Sequence, residues 1–355
     1  MSILTLIRPE LSGLKPYEAA EQVENSIRLN ANESSWSPCT TAFRRPLNRY
    51  PQIRPTGLCS KLSQFYSCDS DQLLVTRGSS EAIDLLIRLF CRAGTDNIVV
   101  PGPTFSMYEH YAKIQAADVH TLPLKPAQNF RLDSDELLSQ CDERTKLVFL
   151  CTPNNPTGTT IPRATLKKII EKLAGRSVVI VDEAYIEFSD ESSCVELVSE
   201  FENLVVLRTL SKALASAGAR CGSVIAQSDV IQALDAIQSP YAMATPVVEC
   251  IEDAMSEAML QVSDNQISAT INERHAMLDA LDGLDIVTRT WPSDANFVLA
   301  EFKDIENVLA TTKDNGILIR FYGGTLKNCA RISIGSRQEN AALLDVLRQL
   351  DNESS

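Results

Sequence analysis

From about residue 71 the chain alternates between two textures. Short apolar runs, LLVT (73–76), NIVV (97–100), KLVFL (146–150), SVVIV (177–181), NLVVL (203–207) and GSVIA (222–226), are separated by stretches with helical spacing. Those stretches include SSEAIDLLIRLFC (79–91), FSMYEHYAKIQ (105–115) and RATLKKIIEKLA (163–174). A strand that is apolar on both sides must be covered on both sides. The pattern therefore predicts a mostly parallel sheet between two helical layers. In such sheets ligands bind beyond the carboxyl ends of the strands, so the residues just after each run are expected to converge.

The texture changes after about residue 245. A long helical stretch (246–281) is followed by IVTRT (286–290), NFVLAEF (296–302), ILIRF (317–321) and ARISI (330–334), with helices around 304–314 and 337–350. NFVLAEF and ARISI alternate apolar and polar positions better than the earlier strands do, which predicts a smaller α+β domain with one exposed sheet face. The first 30 residues have no strong period and are expected to pack on that domain. The predicted fold class is α/β: a three-layer α/β/α large domain over 31–245, and a smaller α+β domain formed by 1–30 and 246–355.

Composition narrows the function classes. The chain has 355 residues, 44% of them hydrophobic, and a formal net charge of -13. The acidic residues are spread along the chain, which disfavours non-specific binding to nucleic acid or to an anionic membrane. None of the ten cysteines forms CxxC, and several lie in apolar runs, which fits free thiols in a reducing cytosol. The three histidines lack ligand spacing, so no zinc site is expected. The apolar start of MSILTLIRPELSG is too short for a secretory signal, and no run is long enough to span a membrane. A cytoplasmic protein is expected.

Candidate chemistry lies at the strand ends. After LLVT, RGSSE (77–81) opens a helix. Ser79 and Ser80 there form either an anion site or an ordinary serine cap. After NIVV, PGPTF places the aromatic face of Phe105. After KLVFL, CTPNNPTG (151–158) is a rigid turn whose Asn154 and Asn155 can direct an amide at a ligand. After SVVIV, Asp182 is either a helix cap or a poorly hydrated carboxylate facing a cation or donor, with Tyr185 in reach. After NLVVL, RTLSKALASAGARCG offers Thr209, Ser211 and Arg220 to an anion. Its Lys212 is either a solvated charge or a nucleophilic amine. No GxGxxG follows a strand, and no GxxxxGK[ST] occurs. An amine, a buried carboxylate, an amide, a phenol, an aromatic face and an anion cup are together what pyridoxal phosphate requires.

With LNANES (29–34), NRYP (48–51), TRGSSEAIDLLIRLF, PTFSMY, CTPNNPTG, VDEAYIEF, RTLSKALASAGARCG, ILIR and ARISIG in this order, the chain resembles the fold-type-I pyridoxal-phosphate aminotransferases. Among them it is most similar to the histidinol-phosphate branch of the class II family. The resemblance covers most of the chain and implies the following roles. Lys212 forms the Schiff base. Asp182 pairs with the protonated pyridine nitrogen. Asn155 and Tyr185 bond the ring oxygen, and Phe105 stacks on the ring where many relatives have tyrosine. Ser79, Ser80, Thr209, Ser211 and Arg220 hold the phosphate, with Ser80 standing where relatives often carry Asp. Tyr50 reaches the phosphate in a neighbouring subunit, which implies a homodimer with composite sites. Arg331 takes a substrate carboxylate, and Arg320 and Tyr17 help bind a substrate phosphate.

The implied reaction is transamination between L-histidinol phosphate and 2-oxoglutarate, giving imidazole-acetol phosphate and L-glutamate, in histidine biosynthesis. Aromatic or broad-specificity aminotransferases and threonine-phosphate decarboxylases use the same scaffold and stay open at this point.

Overall fold

The computed structural model describes residues 3–11, 13–15 and 43–354. Its first half runs α1 (Thr56–Tyr66), β1 (Leu73–Thr76), α2 (Gly78–Phe90), β2 (Asn97–Gly102), α3 (Met107–Ile114), β3 (Asp118–Pro123), α4 (Ser134–Ser139), β4 (Thr145–Cys151), α5 (Arg163–Leu173), β5 (Val178–Asp182), β6 (Leu204–Thr209), β7 (Gly222–Ile225) and α6 (Ser228–Ile237). The second half runs α7 (Thr245–Ala254), α8 (Glu257–Asp282), β8 (Val287–Thr290), β9 (Phe297–Phe302), α9 (Ile305–Asp314), β10 (Arg320–Phe321), β11 (Cys329–Ser333) and α10 (Arg337–Ser354).

All six apolar runs are strands of one seven-stranded sheet, ordered β1-β7-β6-β5-β4-β2-β3. Alternate residues of each strand feed opposite layers. Val179, Val181, Leu204 and Val206 pack with α1, α5 and α7. Ile180, Val205 and Leu207 pack with α2, α3 and α6. The seventh strand, β3, is DVHTLP, in which half of the residues are polar. It pairs only with β2 at the sheet edge, and Asp118, His120 and Thr121 leave it no continuous apolar run to betray it.

One strand departs from the parallel pattern. β7 is antiparallel to both β6 and β1. Parallel neighbours need a crossover of a dozen or more residues, usually helical, whereas antiparallel neighbours can be joined by a short return. The segment 210–221 makes that return with only a single 3-10 turn, Ala217–Ala219. Lys212 and Arg220 are thereby kept at the sheet's carboxyl edge, because β7 starts where β6 ends.

The smaller sheet is antiparallel, ordered β10-β11-β9-β8. Helices α8, α9 and α10 cover one face, with Met277, Val308 and Leu347 against Val298, Ala300 and Ile332. The other face was expected to be exposed and is not. Leu299 and Cys329 are buried there with Phe130 and Trp291, and Phe297 joins the core of the large sheet. Burial along β9 is accordingly almost continuous, because its second face meets protein rather than water. Of ILIRF, only Arg320–Phe321 forms a strand, at the edge, and Leu318 is 82% exposed. The long helix expected over 246–281 breaks at Met255 and Ser256, where Ser256 turns extended (ψ 150°) ahead of α8.

The N-terminal segment also differs from expectation. Residues 3–11 pack on the large sheet's α2 side. Ile3 is buried in the cluster containing Leu74 and Ile83, and the Arg8 amide donates to the Leu89 carbonyl at 3.2 Å. Their apolar side chains are few enough to seat on either unit, so the sequence alone did not choose. Tyr17 and LNANES lie outside the described residues.

Candidate active site

A cavity of about 270 Å³ opens where the ends of β4, β5 and β6 meet the start of α2. Its walls include Ser79, Ser80, Phe105, Asn155, Asp182, Tyr185, Thr209, Ser211, Lys212, Arg220 and Arg331. Every one of these was singled out from sequence. Tyr50 and Arg320, also singled out, are not in its lining.

One end of the cavity is an anion cup. Helix α2 begins at Gly78 without a side-chain cap, so its first N–H groups and the Ser79 and Ser80 hydroxyls are free to serve a ligand. Thr209 Oγ1 lies 2.9 Å from Ser211 Oγ, which places two more hydroxyls alongside. Two glycines let these parts close up. A Cβ on Gly78 would sit 2.6 Å from the Arg220 guanidinium, and one on Gly222 would sit 2.6 Å from the Gly78 carbonyl carbon. Arg220 adopts a left-handed backbone (φ 54°), which turns its side chain back over the cup. Helix N-terminus, hydroxyls and guanidinium all favour a phosphate-like dianion.

The middle of the cavity is acidic and nearly dry. Asp182 is 2% exposed. It accepts from the Tyr108 hydroxyl at 2.7 Å and from the Ala184 N–H at 3.2 Å. Both donors are neutral, and no ion pair to Asp182 occurs among the described residues. Burial pushes its carboxyl up to about 6, while the two hydrogen bonds pull the other way. Such a carboxylate fits a cationic ring nitrogen, which supplies the missing charge. Asn154 and Asn155, adjacent in sequence, separate in role. Asn154 is consumed in holding its loop, bonded to Pro103 O, Thr157 Oγ1 and Thr104 Oγ1. Asn155 faces the cavity and donates to the Tyr185 hydroxyl at 3.2 Å.

Lys212 lines the cavity and is accessible along it. Its amine is pushed below the ordinary lysine value, first by partial desolvation and then by the Arg331 and Arg220 guanidinia. A larger share of neutral amine is what a nucleophile or proton acceptor needs. Anion cup, acid and amine thus match in kind the phosphate, ring nitrogen and aldehyde of pyridoxal phosphate.

Arg331 reaches the cavity from the smaller sheet. It pairs across from Leu299, on the face turned towards the large sheet. Its guanidinium lies 5.1 Å from the Phe297 ring and donates to Asn155 Oδ1 at 2.6 Å, while its buried Nε has no partner. Arg320 stands opposite Arg331 on β10, is exposed, and lies over the Tyr322 ring at 5.7 Å. Tyr50 is 51% exposed and stacks on Tyr241 at 4.6 Å.

The residue that sequence reasoning passed over is Tyr108. It is fully buried, stacked on Phe149 at 4.7 Å, and its hydroxyl is the shortest bond to Asp182. A signal was present in PTFSMY. A tyrosine on the buried side of a helix needs a partner for its hydroxyl, and Tyr108 follows Phe105 by one helical turn.

Comparison with known proteins agrees with this geometry. The sequence profile of the family "Aminotransferase class I and II" matches residues 16–347. The chain belongs to the class I and II aminotransferases. Its full-length relatives include histidinol-phosphate aminotransferases. That of Francisella philomiragia is 41% identical over 353 residues, 98% of this chain and 96% of that one. That of Xylella fastidiosa strain 9a5c is 40% identical over 355 residues, 98% and 97% of the two chains. The histidinol-phosphate aminotransferase of Sinorhizobium meliloti, solved with pyridoxal-5'-phosphate, superposes with a TM-score of 0.77 at 23% identity, covering 87% of this chain and 84% of that one. At that identity it speaks for the fold alone. A threonine-phosphate decarboxylase from Porphyromonas gingivalis superposes with a TM-score of 0.71 at 22% identity, covering 86% and 91%, so the fold by itself does not choose the reaction.

Proposed function

We propose that the protein is a pyridoxal-phosphate-dependent aminotransferase that exchanges the amino group between L-histidinol phosphate and 2-oxoglutarate in histidine biosynthesis. The observation that carries this reading is the meeting of Lys212, Asp182 and Arg331 in one cavity, in a chain 41% identical over nearly its full length to a histidinol-phosphate aminotransferase. The aromatic and broad-specificity alternatives and the decarboxylase share the fold. The full-length relatives favour transamination of histidinol phosphate over each of them.

Pyridoxal phosphate, when bound, supplies an electrophilic carbon and an electron sink. The remaining work falls to side chains. Ser79, Ser80, Thr209, Ser211 and Arg220 bind the phosphate. Asp182 holds a proton at the ring nitrogen, and Asn155 and Tyr185 bond the ring oxygen. Phe105 covers the ring face. The Lys212 amine takes up the proton from the substrate carbon that bears nitrogen, a role suited to its lowered basicity. The Arg331 fork binds whichever anion the substrate presents, the carboxylate of glutamate or the phosphate of histidinol phosphate, with Arg320 opposite it on β10. Tyr17 is assigned to the same phosphate by resemblance.

The enzyme works as a homodimer in this reading. Tyr50 is half exposed and outside its own cavity, a placement that suits a contact with the partner's cofactor phosphate. We place it in the cytoplasm. Nine described cysteines are free thiols, as a reducing compartment permits, and no described helix is long and apolar enough to cross a membrane.

Absorbance of the purified, cofactor-loaded protein tests the reaction. Histidinol phosphate should convert the pyridoxal band to the pyridoxamine form, and 2-oxoglutarate should restore it. A band that responds only to aromatic amino acids, or release of CO2, sinks the assignment.

A further inference from the structure

A group of buried charges lies behind the site and has no part in the reaction just described. Arg208 is 6% exposed and Glu183 1%. The Arg208 guanidinium reaches Glu183 Oε2 at 3.4 Å and Glu187 Oε1 at 2.7 Å. It also lies over the Tyr66 ring of α1 at 4.6 Å. Glu183 accepts in addition from the Ser193 hydroxyl at 2.5 Å and the Cys194 N–H at 2.6 Å.

As a source of stability this arrangement is poor. Taking ions out of water is costly, and apolar replacements for a buried pair are often neutral or stabilising. Here two carboxylates share one guanidinium, and Arg208 Nε and Glu187 Oε2 are buried without partners. Burial pushes the Glu183 carboxyl upwards, with Arg208 opposing.

The placement of the group suits another task. Arg208 immediately precedes Thr209, Glu183 immediately follows Asp182, and Glu187 lies two residues past Tyr185. Strands β5 and β6 are paired up to Asp182 opposite Leu207, and a last backbone bond runs from the Glu183 N–H to the Leu207 carbonyl at 3.0 Å. Beyond that point one chain turns away through 183–194 and the other through 210–221. Arg208 shares a sheet face with Val206 and Leu204, opposite the Leu207 side, and it does not line the cavity. It therefore acts on the site only through the chains it ties together.

We propose that Arg208 is a positioning residue. By holding Glu183 and Glu187 at once, its fork fixes the end of β5 and the loop after it, which carry Asp182 and Tyr185, against the end of β6 and the return after it, which carry Thr209, Ser211 and Lys212. The inference rests on the cofactor reading above.

The test compares three proteins. Arg208→Met/Glu183→Gln removes both deeply buried charges together, leaving Glu187 at the partly exposed end. Arg208→Lys keeps the charge but lacks the fork. Hydrogen exchange of the 184–194 amides is measured without cofactor, and pyridoxal phosphate affinity is measured by absorbance titration. In the double variant, exchange and dissociation constant should each rise about tenfold, with the cofactor-free melting temperature within a few degrees of wild type. The lysine variant should fall between. Unchanged exchange and affinity overturn the proposal, whatever the melting temperature does. If the double variant does not fold, Glu187→Gln should raise both quantities about threefold, and no rise overturns the proposal equally. A wild-type protein that fails to bind pyridoxal phosphate sinks the cofactor reading instead, so the two failures are distinct.

Discussion

Asp182 and Arg331 reach the same cavity from different sheets, and their surroundings differ. Asp182 ends a strand covered on both faces, is 2% exposed, and is held by a fully buried tyrosine. Arg331 comes from a four-stranded sheet, keeps partial exposure, and has the exposed Arg320 as its cross-strand neighbour. In the proposed reading the cofactor end is built on buried strand ends and their first loop residues, which hold geometry tightly. The proposed substrate end is built on long cationic side chains, which can adjust to anions of different shape. Fixed geometry suits a ligand that stays through every cycle. Adjustable forks suit two substrates that must share one site.

This contrast can be broken experimentally, beginning with the cofactor end. Lys212→Ala should lower turnover by at least about 10³-fold, because in the proposed mechanism it removes both the covalent attachment and the proton acceptor. Steady-state assay with both substrates checks this, and added small amines should recover part of the loss.

Asp182→Asn separates function from stability. The carboxyl titrates at about 6 in the folded protein against 3.8 ordinarily, because it is buried. Ionising it there costs about 3 kcal/mol in the cofactor-free protein. This stability is fully present below pH 4 and is lost as pH rises through 6. Cofactor-free Asp182→Asn should therefore resist denaturant better than wild type at pH 8 by about that amount, and equally well at pH 3.5. Its transamination should nonetheless fall, since the amide cannot hold a proton at the ring nitrogen. An Asn variant less stable than wild type at pH 8 would show that Asp182 already has a charge partner.

At the substrate end the effects should be smaller and should fall on binding. Arg331→Ala removes charge-assisted bonds worth about 1.5–3 kcal/mol, so KM for glutamate and for histidinol phosphate should each rise about 10- to 150-fold. Loss with only one substrate would refute the shared fork. Arg320→Ala, at an exposed edge, should change KM for histidinol phosphate by no more than about fivefold and leave that for glutamate nearly unchanged.

The sequence by itself determined much of this protein. Continuous apolar runs can be stable only inside a covered sheet. Six of the seven strands of the large sheet, the carboxyl-edge site and most of the residues that converge there were therefore legible from the chain alone. Local chemistry could also be read: serines at a helix start, a proline-locked asparagine loop, a lysine after a buried strand. Only the tertiary structure decided the rest. β3 is an edge strand interrupted by Asp118, His120 and Thr121, so it writes no apolar run. β7 runs against its neighbours because its connection is a short return, a fact that depends on which strands end up adjacent. Tyr108 bonds Asp182 across 74 positions, which no local pattern encodes. The second face of the small sheet, expected to be exposed, is turned inwards on Phe130 and Trp291, while its Phe297 joins the core of the large sheet and its Arg331 reaches the cavity. Periodicity tells which residues share a face. What that face meets is settled by packing between segments far apart in the chain.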